Sequence, residues 1–213
     1  MAITVQRPKV TAEDKVAFSQ VYDEQEPYIK QVIIEDCTID GPLTEAFECI
    51  DVIFKNVRFE GIALSKMYLR DVVFEKCDLS NAQLEEITMK RVLFDNCQMT
   101  GVNFADGSLM DVRFHQCNML LGGFGYAKQK QVIFDNCILK QIDAFENALT
   151  RVAFQSCDLT GANFSHTPLK GIDLSTSYFE QMTVGINDVK GCIVNETQAT
   201  AFSSLLGLVV KDR

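Results

Sequence analysis

The chain has 213 residues, 47% hydrophobic and 23% charged, the balance of a folded protein with room for one domain or two small ones. Lys and Arg number 20 against 29 Asp and Glu, and this net charge of −9 argues against direct binding to nucleic-acid phosphates and favours a basic partner. Two histidines, His115 and His166, are too few for a multi-histidine metal centre or a His-based triad.

The first ten residues, MAITVQRPKV, carry no apolar signal core, and no apolar run of about 18 residues predicts a transmembrane helix. A cytoplasmic protein without membrane contact is the expectation. Thr11 and Asp14 resemble helix N-caps and predict a short helix over about 12–23, AEDKVAFSQVYD.

A repeat of 20 residues follows. Cysteine stands at 37, 77, 97, 117, 137 and 157, with Val57 in the gap, and phenylalanine at 54, 74, 94, 114, 134 and 154, extended by Ile34 and Leu174. The period divides into four fives. From Ile34 to Val184, 31 positions end in 4 or 9, and 27 of them are Ile, Leu, Met, Phe or Val. The exceptions are Thr44, Cys49, Gln129 and Ala144. Two residues earlier stands a small or β-branched residue, as in Val92, Cys97 and Val102. An α-helix cannot keep a period of five on one face, and a plain strand alternates without a break. Five-residue units with two inward residues need a corner after each short strand, and four of them close a square coil. Gly41, Gly61, Asn81, Gly101 and Gly161, and in a second column Asn56, Asn96 and Asn136, suit the left-handed backbone of tight corners. The expected fold is all-β, a quadrilateral parallel β-helix whose coils stack at about 4.8 Å.

Within the repeat, LLGGFGYAKQK (120–130) is the weakest coil, because Gln129 takes an interior position. A local distortion, such as a bend, is expected there. The cysteine ladder is expected to be an inward stack of reduced thiols acting as small apolar groups. Cys49 and Cys192 fall outside it without an assigned role.

The units CDLSN (77–81), CDLTG (157–161) and ANFSH (162–166) resemble the pentapeptide-repeat family, whose unit is A-(D/N)-L-x-x. The resemblance covers about residues 32–184 and implies a right-handed quadrilateral β-helix of about 7.6 coils, roughly 37 Å long. Three parts are expected: an N-terminal extension over 1–31 whose helix caps the open end of the coil, the β-helix over 32–190, and a tail over 191–213. The tail, GCIVNETQATAFSSLLGLVV, looks like that of the Qnr and Mfp quinolone-protection proteins. By that resemblance Gln198, Ala199, Phe202, Leu205, Leu206, Leu208 and Val210 would form a homodimer contact of a short helix and strand. The same resemblance implies a non-enzymatic DNA mimic that binds DNA gyrase or topoisomerase IV and shields it from fluoroquinolones. The five-residue register has no insertion, so the loops that break the coil in Qnr proteins of Gram-negative hosts are not expected. The alternative is a scaffold that holds some other protein.

One face of the expected rod differs from the other three. Its outward column reads Ile33, Ile53, Val73, Leu93, Arg113, Ile133, Ala153. Its edges carry Asp51, Asp71 and Asp111 on one side and Glu35, Glu75, Asp95 and Asp135 on the other. The five aliphatic residues Ile33 to Ile133 and the seven acids are the candidate partner-binding residues, an apolar stripe with acidic margins. No Walker loop, dinucleotide fingerprint, nucleophile elbow or metal-ligand spacing is present, so no catalytic residue, metal or cofactor is expected.

Overall fold

Backbone φ turns positive at a residue number ending in 1 or 6 along nearly the whole repeat. The computed structural model describes residues 3–41, 43 and 47–211, and in it 24 non-glycine residues have φ between 51° and 62°. All fall on that register, and six register glycines join them. None of the 24 is β-branched. The register also reaches Thr176 and Ile186, where φ is not left-handed and the regular ladder is coming to its end. A left-handed residue costs about 1–2 kcal/mol. Arginine, leucine and tyrosine adopt it here at Arg91, Leu121 and Tyr126, so coil stacking imposes the corner and the residue tolerates it.

The elements follow from this punctuation. After β1 (Asp14–Lys15) and α1 (Phe18–Val21) come β2 (Tyr28–Glu35), β3 (Thr38–Asp40), β4 (Glu48–Lys55) and β5 (Arg58–Glu60). Then follow β6 (Tyr68–Glu75), β7 (Thr88–Asp95), β8 (Ser108–His115), β9 (Lys128–Asp135) and β10 (Ala148–Gln155). The chain closes with α2 (Glu196–Ser203) and a 3-10 turn (Ser204–Leu206). The seven eight-residue strands and the two-residue β1 form one parallel sheet in the order β1-β2-β4-β6-β7-β8-β9-β10. From β2 onward each residue pairs with the one 20 positions later, as Val52 with Val72 and Phe94 with Phe114. Each of these strands wraps a corner at its fourth residue, which is Asp51 in β4 and Asp71 in β6. Single bridges such as Arg58 to Asp78 and Ala63 to Gln83 continue the ladder on the other sides. The result is the quadrilateral parallel β-helix that the repeat requires. Thr44, one exception to the register, lies outside the described residues.

The phenylalanine column forms the spine. Phe54, Phe74, Phe94, Phe114, Phe134 and Phe154 are buried and stack at 5.0, 4.7, 4.9, 5.0 and 5.1 Å with rings within 13° of parallel. Phe104, Phe124 and Phe164 approach them from the opposite side of the coil. All eight cysteines are free. From Cys77 to Cys157 each thiol of the ladder donates to the carbonyl of the phenylalanine 23 residues earlier, Cys77 to Phe54 at 3.4 Å and Cys117 to Phe94 at 3.6 Å. Ser177 extends the column and makes the same bond to Phe154 at 3.1 Å. Over that stretch a weak donor small enough for the site is the shared property, beyond apolarity alone. Cys49 occupies an inward centre, where burial pushes its thiol far up.

The expected distortion at 120–130 does not occur. Gly123 bridges Asn103 and Asp143 in register, and β8, β9 and β10 pair without a break. Gln129 is 3% exposed and donates to Asn147 Oδ1 at 2.8 Å, and Asn147 donates in turn to the Phe124 carbonyl at 2.6 Å. Gln129 takes the position that Leu69, Met89 and Leu109 take in their coils, and Asn147 of the next coil meets its amide.

The predicted N-terminal helix over 12–23 is replaced by three pieces. Thr11 and Ala12 belong to an extended segment, Asp14 and Lys15 pair with Val32 and Ile33 as an edge strand, and only Phe18–Val21 is helical. Phe18 and Tyr22 pack on Phe47, with ring centroids at 6.3 and 5.6 Å, and so reach the core at the N-terminal end of the coil. At the other end α2 carries a capping box: Asn195 Oδ1 accepts the Gln198 N–H, and Gln198 Oε1 accepts the Asn195 N–H, both at 3.0 Å.

Candidate functional site

The apolar stripe is covered by the chain's own N-terminus. Residues 3–12 run along the rod axis over that face, and Lys15 lies beside Ile33 at its foot. The Asp column at the corner holds this strap by its backbone. Asp111 Oδ1 accepts the Gln6 N–H at 3.0 Å, and Asp71 Oδ1 accepts the Lys9 N–H at 2.9 Å. Asp51 accepts the N–H of Thr11 at 2.6 Å and of Ala12 at 3.2 Å, as well as the Thr11 hydroxyl. Further up, Gln131 Nε2 donates to the Thr4 carbonyl at 3.2 Å. Inward strap residues Ile3, Val5, Pro8, Val10 and Ala12 are half-buried, and Thr4, Gln6 and Lys9 are exposed.

The stripe is therefore not an open surface. Asp51, Asp71 and Asp111 are only 8%, 7% and 4% exposed, and Ile133 is 5% exposed. Ile33, Ile53, Val73 and Leu93 are half-buried. Charge reversal at Asp71 or Asp111 would therefore strike the strap before any partner. The sequence signal for the strap was the alternation Ile3, Val5 and then Pro8, Val10, Ala12 opposite a bare apolar face.

The other acidic margin is engaged along much of its length. Glu35 pairs with Lys15 at 2.7 Å and Glu75 with Lys55 at 3.6 Å. Asp135 Oδ2 takes both Arg113 at 2.5 Å and His115 at 2.9 Å. Burial opposes the Asp135 carboxylate, but the hydrogen bonds from Arg113 and His115 hold its pKa below the usual range. His115 is thus part of an ion cluster rather than a free surface residue. Arg91 makes a two-pronged contact to Asp71 at 2.6 and 2.5 Å. Burial again works against Asp71, and Arg91 together with the Lys9 amide outweighs it, so this carboxyl also lies below its ordinary value.

Accessible acids stand on the opposite face. Glu86, Asp106 and Glu146 share one corner column, with Glu85 and Asp143 beside them, and all five are exposed. Between them the column bears Tyr126, and the adjoining corner bears Leu121, 53% and 57% exposed. A third face is basic at Lys30, Lys90, Lys128 and Lys130. This face adjoins the acidic corner, Lys90 standing four residues after Glu86, and the apolar stripe gives no sign of either group. Among the described residues no three His, Cys, Asp or Glu gather as metal ligands, and no helix is long and apolar enough to cross a membrane.

In the predicted dimer tail, Gln198 turns inward. It is 5% exposed, and its Nε2 donates to the carbonyls of Leu174 and Ser177, both at 2.8 Å, plugging the last coil. Phe202 stacks on Phe179 at 5.2 Å. Ala199, Phe202, Leu205 and Leu206 line an apolar depression of about 450 Å3 with Ile186 and Val194. Beyond Gly207, Leu208, Val209 and Val210 are 58%, 87% and 55% exposed.

A four-sided parallel solenoid of five-residue units defines the class of protein. The family described as a pentapeptide repeat region matches residues 47–124 and 87–164, more than half the chain, and the chain belongs to it. Its fold is similar to that of trypsin-treated QnrB1, a plasmid-mediated fluoroquinolone resistance protein, with a TM-score of 0.52 at 19% identity over 94% of this chain and 96% of that one. HetL, a pentapeptide repeat protein involved in heterocyst differentiation regulation from the cyanobacterium Nostoc sp. strain PCC 7120, matches at 13% identity and a TM-score of 0.47, over 79% of this chain and 85% of that one. No curated protein matches the chain by sequence.

Proposed function

We propose that this protein is a non-catalytic DNA mimic that binds DNA gyrase or topoisomerase IV in the cytoplasm and relieves fluoroquinolone inhibition. The observation that carries the reading is the exposed acidic column of Glu86, Asp106 and Glu146 flanked by Glu85 and Asp143. Coils stack at about 4.8 Å, so Glu86 and Asp106 are like charges at close range and disfavour each other until a cationic surface arrives. A site that normally holds DNA is basic by necessity. The fold shared with QnrB1 supports the same reading. The acidic docking surface of this reading lies opposite the strap, not beneath it.

Purified protein titrated into a gyrase supercoiling reaction containing ciprofloxacin is expected to restore supercoiling at low concentration and inhibit it at high concentration. Glu86→Lys with Asp106→Lys and Glu146→Lys should abolish the rescue, with stability changed by no more than about 0.5 kcal/mol per exposed site. Binding should weaken with added salt. No effect on either topoisomerase at any concentration would overturn the reading. The second reading, a scaffold for another protein, is favoured by the exposed Leu121 and Tyr126.

The tail supports a homodimer. A second copy would cover Leu206, Leu208 and Val210 and the depression beside Phe202, doubling the charge from −9 to −18. Leu208→Asp with Val210→Asp should halve the mass measured by light scattering and leave the melting temperature of the rod nearly unchanged. A variant that keeps the wild-type mass would remove the tail from the interface.

A further inference from the structure

The strap is bound in a way that hardly depends on its sequence. Gln6, Lys9, Thr11 and Ala12 all donate backbone N–H groups to the Asp column, and the Thr11 hydroxyl is the one side-chain donor to it from the strap. The spacing explains why this works. Two coils rise about 9.6 Å, and three residues of extended chain advance about 10 Å. Gln6 and Lys9, three residues apart, therefore meet Asp111 and Asp71, two coils apart, and Thr11, two residues further on, meets Asp51 on the next coil.

The seat is only partly filled. An open groove of about 460 Å3 runs along Val5, Pro8 and Val10 of the strap and Val73 and Leu93 of the stripe, with Asp95, Arg113 and His115 at its rim. Charge adds selectivity. Residues 3–12 contain Arg7 and Lys9 and no acid; on the surface they lie on, Asp71, Glu75 and Asp135 already pair with Arg91, Lys55 and Arg113, while Asp51, Asp95 and Asp111 have no ion-pair partner among the described residues.

We infer that the Asp51–Asp71–Asp111 column and its apolar stripe form a binding track for an extended, acid-free, basic segment of a protein partner, with residues 3–12 as the built-in competitor. The partner's amides replace those of the strap on the same carboxylates. Side chains larger than Val5 and Val10 then fill the groove that the strap leaves. The track lies on the opposite face from the acidic column, so occupation of one does not block the other.

The test uses the full-length chain. Gln6→Pro with Lys9→Pro removes two of the amide donors, keeps an extended backbone and leaves every carboxylate in place. Amide exchange at Thr11 and Ala12 should accelerate at least about tenfold, reporting release of the strap. A fluorescein-labelled, acetylated peptide of residues 3–12 is the probe. It should bind the released variant in the micromolar range and the wild type at least about tenfold more weakly, because a tethered competitor has a high effective concentration. The same peptide with Val10→Leu should bind about fourfold more tightly through one added methylene. Adding Asp71→Asn and Asp111→Asn to the released variant should abolish binding. Three results would overturn the inference: unchanged exchange in the proline variant, no peptide binding once the strap is free, or binding indifferent to the asparagine substitutions. A wild-type dimer that the peptide dissociates would overturn assignment to a foreign partner, since the strap of a second copy would then be the occupant.

Discussion

Phe94→Ala is expected to lower unfolding free energy by about 3–5 kcal/mol and the melting temperature by about 10 °C. Phe94 is fully buried, with Phe74 stacked 4.7 Å below and Phe114 4.9 Å above. Truncation removes the transfer free energy of the ring and opens a cavity that two flat, stacked neighbours cannot close by rotating. It also breaks both stacked contacts, each worth about 0.5–1.5 kcal/mol, and the tilted one to Phe104 at 6.4 Å. Phe154 ends the aromatic run, with Phe134 at 5.1 Å on one side and Phe164 edge-on at 5.8 Å. Phe154→Ala should therefore cost about 1 kcal/mol less than Phe94→Ala. Solenoid stability is a sum of coil and nearest-neighbour terms, so a break in the middle severs two coil interfaces. Urea unfolding of the two variants measures the difference. Equal losses would mean that burial, and not the stack, dominates the spine.

The spine was legible because inward positions obey a strict count. Cysteine and phenylalanine recur 20 apart in the sequence and lie directly above each other in the rod. Corners were only half legible. Glycine and asparagine mark some of them, but Arg91, Leu121, Tyr126 and Arg151 take the same left-handed backbone with no local preference for it. Stacking of whole coils is a long-range effect that a five-residue window does not contain. The strap escapes a local reading for a related reason. Thr11 and Asp14 are good helix caps in isolation, yet the Thr11 amide and hydroxyl go to Asp51, 40 residues away. A carboxylate column and an apolar face outcompeted a marginal helix of about a dozen residues. Likewise Gln198 reads as one polar member of an apolar tail, and only the carbonyls of Leu174 and Ser177 at the rod's end reveal it as a plug. The acidic face was missed because outward residues have no packing constraint, so no periodic signal marks Glu86, Asp106 and Glu146 as a group.

Arg91→Ala is expected to cost about 3 kcal/mol at neutral pH, far more than a surface ion pair would. The Arg91 and Asp71 side chains keep only 14% and 10% of their surface exposed, and both guanidinium contacts fall on one carboxylate. Without Arg91 that carboxylate stays nearly buried with the Lys9 amide as its remaining donor outside the corner. Breaking a buried pair by removing one member typically costs about 3–5 kcal/mol, and the residual exposure places this pair at the lower end. Asp71→Ala should cost a similar amount and also release the strap at Lys9. The double variant should lose clearly less than the sum of the singles, a coupling of about 2 kcal/mol in a double-mutant cycle. The pH dependence follows from the depressed Asp71 carboxyl. Its contribution is fully present above the unfolded carboxylate value of about 3.9, and it is lost as pH falls through the lower folded value. Once Asp71 is protonated, Arg91 has no carboxylate to neutralise, so the Arg91→Ala penalty should shrink in acid. Urea unfolding of wild type and variant at pH 7 and near pH 2 measures the change. A penalty that is the same at both values would assign the role of Arg91 to the packing of its hydrocarbon stem against the corner column, and strictly additive single variants would remove the ion pair from the forces that hold Asp71 and the strap in place.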